Sequence, residues 1–274
     1  MSIDALPYMV FLVMVEFTVG DTLVLVAAQV RGRLPRGFLK MGAATVLASA
    51  VLAVWVGMRL GGLGDVGGYP LDDRFLNPAR IALWLLAGLL VPYMLLVWRE
   101  REPAGKALGA AVSAAALVAL GLCAALVRLP AWGYAGVLLS LLAGALSLGA
   151  VTLGLLLGHW YLVAPRLPAQ PLNELTLALA AVLALQAAIV LANVAIPVKI
   201  MPDRQAGPLI QNPALWLRLG VGLAFPIALA LLAWRASVVR GMMAATGLLY
   251  LALGAVLAGE ALARGLQFVT AIPF

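Results

Sequence analysis

Apolar residues run along this chain in long unbroken stretches, and polar residues gather in the gaps between them. Eight stretches stand out, at 7–30, 41–63, 80–98, 107–127, 136–164, 174–196, 214–234 and 242–266. Each is close to the ~20 residues that a helix needs to cross a bilayer. They are continuous and rich in Leu and Ala, without the alternation of a barrel strand, so each predicts a helix. The gaps carry the breakers: Arg31-Gly32-Arg33-Leu34-Pro35-Arg36, a Gly/Pro/Asp-rich segment at 65–80, Arg99-Glu100-Arg101-Glu102-Pro103, Leu129-Pro130, Pro165-Arg166-Leu167-Pro168 and a long loop at 197–213. Proline lacks a backbone donor and favours such boundaries. Pro92 and Pro226 fall inside stretches, where they predict kinks. The expected fold is an all-α integral membrane protein, a bundle of eight transmembrane helices forming one domain over 1–274.

Composition strengthens the membrane reading. Hydrophobic residues make up 65% of the chain and charged residues 11%, with a mean hydropathy of +1.08; a soluble domain carries about 25% charged residues. The net charge of +7 forms no basic stripe, so nucleic acid is not an expected partner. The basic residues sit at the ends of the apolar runs. One set of loops holds Arg31, Arg33, Arg36, Lys40, Arg99, Arg101, Lys106, Arg166, Arg235 and Arg240. The opposite set holds Arg74, Arg80, Arg128, Lys199 and Arg204, together with Asp4, Asp65, Asp72, Asp73 and Asp203. The excess of positive charge puts the first set in the cytoplasm and both termini outside, in an inner (cytoplasmic) membrane. The acidic start Met1-Ser2-Ile3-Asp4 and the length of the first run make it a retained span, not a signal peptide. Cys123 is the only cysteine, which rules out an intrachain disulfide or a thiolate cluster. No phosphate-binding loop, dinucleotide fingerprint or zinc-protease motif is present, and no metal site is expected from this chain.

Charges inside apolar runs are expensive and usually face a bundle interior. Glu260 and Arg264 are four residues apart, within pairing reach on one helical face. Glu16, Arg59 and Arg218 lie at a similar depth, as do Asn193 and Gln267. Two carboxylates and three guanidiniums are therefore expected to converge in the outer half of the membrane, with Glu16 and Glu260 as the candidate acids. Ion pairs between helices, or arginines reaching for the interface, would give the same pattern. A second, cytoplasmic cluster is expected from Asp21 and His159, the latter followed by Trp160 and Tyr161. His159 is the only histidine of the chain.

Arg33-Leu34-Pro35 and Arg166-Leu167-Pro168 follow the first and fifth runs, which suggests two four-helix halves, 1–133 and 134–274. Gly57-x-x-x-Gly61 and Gly154-x-x-x-Gly158 are close-packing signals, expected to act within the bundle.

The segment Gly259-Glu260-x-x-Ala263-Arg264-Gly265-x-x-Phe268 resembles the last helix of membrane anchor subunits of dimethyl sulfoxide reductase-type complexes, relatives of the polysulfide-reductase anchors. There a Gly-Glu-x-x-Gly-Arg motif is followed by two aromatics. Here Ala263 replaces the second Gly and Gln267 the first aromatic, and Phe268 stands for the second. The resemblance implies eight spans with both ends outside. It also implies quinone (menaquinone) or quinol binding in the outer half, and electron transfer to an iron–sulfur subunit docked outside. In that scheme Glu16 or Glu260 accepts quinol protons, and Arg264, Arg218, Arg59, His159 and Asp21 are candidate quinone-binding residues. Two other readings remain open at this point. A proton-coupled secondary transporter would use the two halves and the buried carboxylates. A non-catalytic membrane scaffold or assembly factor would use the charges for packing alone.

Overall fold

The computed structural model describes residues 4–32, 34–128, 132–164, 166–195 and 209–274. It is 86% helical, and among the described residues eight helices are long and apolar enough to cross a membrane. They are α1 (Ala5–Arg31), α2 (Arg36–Arg59), α3 (Leu76–Trp98), α4 (Glu102–Leu126), α5 (Gly133–Val163) and α6 (Gln170–Ala195), then a seventh built from α7 (Pro213–Leu219) and α8 (Phe225–Val238), and last α9 (Met242–Thr270). A π-helical turn, Gly220–Ala224, joins α7 to α8. Most of the loop expected at 197–213, with Lys199, Asp203 and Arg204, lies outside the described residues, as do Arg33, Pro130 and Pro165.

The helices form two rings. In one, α1 packs on α2, α2 on α3, α3 on α4 and α4 back on α1. In the other, α5 packs on α6, α6 on α8, α8 on α9 and α9 back on α5. The rings meet along a seam dominated by α1 against α5, with α9 also reaching α1. These two central helices are 72% buried over their most apolar windows, against 33–44% for the others. Glycines make the seam tight. A Cβ on Gly20 would sit 1.7 Å from the Ala145 carbonyl oxygen, and one on Gly149 would sit 2.3 Å from the Gly20 carbonyl. Neither position admits any side chain, so the two backbones touch. Gly57 packs likewise against Phe11, and Gly158 against Thr246. The outward faces carry Trp55, Trp84, Leu85, Leu185, Leu232 and Leu251, all more than 40% exposed.

One end of the bundle is closed by a small hairpin, Asp65–Val66 against Tyr69–Pro70. Its turn residues Gly67 and Gly68 have φ of 59° and 82°, the left-handed values that a two-residue hairpin turn needs. Tyr69 is buried beneath it and donates to the Val127 carbonyl at 2.5 Å. Arg80 donates to the carbonyls of Gly57 and Leu60, which satisfies the end of α2. The second apolar run was expected at 41–63, but α2 stops at Arg59 because Gly61, Gly62 and Gly64 follow, and it starts earlier, at Arg36. At the far end Glu100, in the α3–α4 turn, pairs with Arg36 at 2.7 Å and Lys40 at 3.0 Å. Arg31 pairs with Glu174 at 3.2 Å.

Candidate functional site

A charged network lies inside the protein, where α1, α5, α6, α7 and α9 come together. Glu16, Arg218, Glu260 and Arg264 are all 0% exposed. Arg218 Nη2 lies 3.2 Å from Glu260 Oε1. Arg264 Nε lies 3.4 Å from Glu16 Oε1, and its Nη2 lies 3.8 Å from Glu260 Oε2. Two carboxylates face two guanidiniums, so the fully ionised set balances in charge. Gln186 knits it together: its amide donates to Glu260 Oε1 at 2.9 Å, and its oxygen accepts from Arg218 at 3.0 Å.

Local sequence explains the fit. Gly144 on α5 leaves room for both carboxyls; a Cβ there would sit 2.7 Å from Glu16 Oε1 and 2.7 Å from Glu260 Oε2. The two carboxyls therefore lie within about twice that distance of each other. Gly222 and Gly259 let α9 approach the π turn, and Cβ atoms on either would sit 2.7 Å from the other's Cα. The π turn itself precedes Pro226, which has no N–H to offer the preceding turn. π turns of this kind recur at functional sites, and this one sits directly after Arg218.

Arg264 also ties the network to the hairpin end. It donates to Gln267 Oε1 at 2.6 Å, and to Ser140 Oγ and the Phe274 main-chain oxygen at 2.9 Å each. Gln267 in turn donates to Tyr69 at 3.4 Å, and Phe268 packs edge-on to Tyr69 at 4.9 Å. Asn193 donates to the Pro273 carbonyl at 2.5 Å. Several polar atoms of the network have no hydrogen-bond partner among the described residues: both oxygens of Glu16, Oε2 of Glu260, Nε of Arg264, and Nε and Nη1 of Arg218. Buried donors and acceptors are rarely left this way.

The expected outer cluster is thus brought together in four of its five charged members. Arg59 stands apart, exposed and stacked over Trp55 at 5.6 Å. The expected second cluster does not assemble. Asp21 is buried, and its backbone nitrogen abuts Gly149 at the seam. His159 is exposed ten residues further along α5, about 15 Å away along the axis. Neither oxygen of Asp21 has a hydrogen-bond partner among the described residues. Glu260 lies farther from its helix end than the apolar run suggests, because α9 continues ten residues beyond it, to Thr270. Sequence reasoning missed Gln186, Ser140 and Tyr69. The available signal for Gln186 was an amide in the middle of an otherwise apolar stretch.

No protein-family model matches this chain, and no curated protein matches it.

Proposed function

We propose that the chain is a multi-pass subunit of the inner (cytoplasmic) membrane that binds quinol and serves a respiratory oxidoreductase. Electrons pass to an iron–sulfur partner docked at the hairpin end, which faces outward in this reading. The apolar outer faces of the long helices support insertion in lipid. The excess of arginine and lysine at the Glu100 end supports the orientation.

The observation that carries the quinol assignment is the buried network with its unpartnered atoms. A quinol head brings two hydroxyl groups, and a quinone brings two carbonyl oxygens. Glu260 Oε2 and the Glu16 carboxyl are free of hydrogen bonds among the described residues and suit a hydroxyl donor. Nε and Nη1 of Arg218 suit an oxygen acceptor. The residues therefore fit the group. Bound there, quinol would supply the electrons and protons of the reaction. Glu260 and Glu16 accept the protons, Arg218 and Arg264 orient the oxygens and favour negative charge on them, and Gln186 fixes the rotamers of Glu260 and Arg218.

The test is quinol oxidation by membranes containing Glu260→Gln or Glu16→Gln protein. Loss of a positioned acid–base group predicts a fall of roughly 10²-fold or more per unit of folded protein. Wild-type rates in both variants would remove the assignment. A second reading, a proton-coupled transporter, draws on the broken seventh helix and on carboxylates at the contact of two rings. It predicts proton uptake by proteoliposomes containing no quinol, which the quinol reading does not.

A further inference from the structure

Helices α1 and α6 both pack along α5 but hardly touch each other. The space left over α5 is a slot of about 390 Å³, floored by Leu146 and Ala150 and walled by residues of α1 and α6. That volume is in the range of small-molecule sites. Its walls follow the helical repeat. On α1 the wall includes Val24, Ala27 and Arg31, and on α6 it includes Val182, Ala178 and Glu174. Beyond the slot the same stripes continue to Gly20 and Glu16 on α1 and to Gln186 on α6. Steps of three and four residues keep each stripe on one face. Both stripes thus begin in the charged network, pass through the apolar slot, and end at the Arg31–Glu174 ion pair at the far end. The inner end of the slot, at Val182, stops one helical turn short of Gln186, whose amide bonds Glu260.

Polar groups stand toward both ends of this apolar slot. Arg31 and Glu174 pair with each other at one end, while the network beyond the other holds atoms with no hydrogen-bond partner among the described residues. That arrangement suits an amphiphile whose tail fills the slot and whose compact polar head points to the network. Exposed Ala27 and Ala178 leave the slot open on its flank. We infer that the slot seats the isoprenoid tail of a quinol, which enters sideways between α1 and α6 and presents its head to Gln186 and Glu260. This deepens the quinol reading and rests on it. It also places the tail in the half of the bundle away from the hairpin, opposite to the side on which electrons would leave.

The experiment uses the full chain in nanodiscs and a menaquinone analogue with a photoactivatable group on its tail. Cross-links are mapped by mass spectrometry, and retained quinone is measured for wild type, Ala178→Trp, Ala27→Trp and the outward-facing control Leu185→Trp. The expected result is cross-linking within 20–31 and 174–186. Either slot-filling variant should retain about tenfold less quinone, with the control unchanged. Having one bulky substitution on each wall keeps the test valid if one variant fails to accumulate. Cross-links elsewhere, with quinone retention unaffected by both slot variants, would overturn the slot and leave the quinol reading standing. No retained quinone and no cross-link in wild type would overturn the quinol reading, and the slot's occupant with it.

Discussion

At the scale of single residues, the network is held by mutual neutralisation. Arg218 has no ionic partner but Glu260 among the described residues, and both are fully buried. Removing one member strands a charge in a medium that cannot solvate it, which typically costs about 3–5 kcal/mol. Arg218→Met is therefore expected to lower thermal stability in detergent sharply. The double variant Arg218→Met/Glu260→Gln should recover part of that loss, because no lone charge remains. Equal stability of the single and double variants would contradict this coupling. The charged members were legible in the sequence, because a carboxylate or guanidinium in an apolar run has few places to go. Gln186 was not, since a neutral amide can point to a backbone or to lipid-facing solvent gaps without penalty large enough to fix its place. Arg59 stays outside the network for a related reason. Close to a helix end, a long arginine reaches the surface, and here it lies over Trp55 instead of turning inward.

At the scale of elements, glycine contacts decide how helices cross. Gly20→Ala puts a methyl group into the Ala145 carbonyl, and main chain cannot yield as a side-chain tip can. Loss of most folded protein is expected on size-exclusion chromatography, whereas Gly88→Ala, with nothing near its Cβ position, should behave as wild type. The turn between α3 and α4 gives a pH prediction. Hydrogen bonding from Lys40, with the charge of Arg36, holds the Glu100 carboxyl below its usual value of 4.5. A lowered folded value means that the contribution to stability is present above the unfolded pKa and is lost as pH falls through the folded one. The melting temperature of wild type should therefore exceed that of Glu100→Gln at pH 7, by a small margin for so exposed a pair. The margin should vanish in acid below the carboxylate range. Helix existence was legible in every long apolar run. Boundaries were less so. The apolar residues Leu60 and Leu63 extended the second run on paper, but the glycines between and after them end α2. The start of that helix, Arg36 to Lys40, carries basic residues that break the apolar pattern although they are helical.

At the scale of the whole molecule, α1 to α4 close into one ring and α5, α6, α8 and α9 into another. The proposed orientation has a direct check. With Cys123 buried, a cysteine placed at Gly68 should react with a membrane-impermeant maleimide on intact cells. One placed at Arg101 should react only after permeabilisation. The reverse pattern would invert the orientation. The seam between the rings has one more property. Glu16 belongs to the first ring, while Gln186, Arg218, Glu260 and Arg264 belong to the second. The 3.4 Å contact from Glu16 to Arg264 is thus the ionic tie across the seam within this network, laid over a glycine crossing that offers no cushion of side chains. Proton gain by that one carboxylate would slacken the tie while leaving the crossing in place. The contact between the rings at the level of the network is then expected to loosen with a single proton, while the Arg31–Glu174 pair between α1 and α6 still holds.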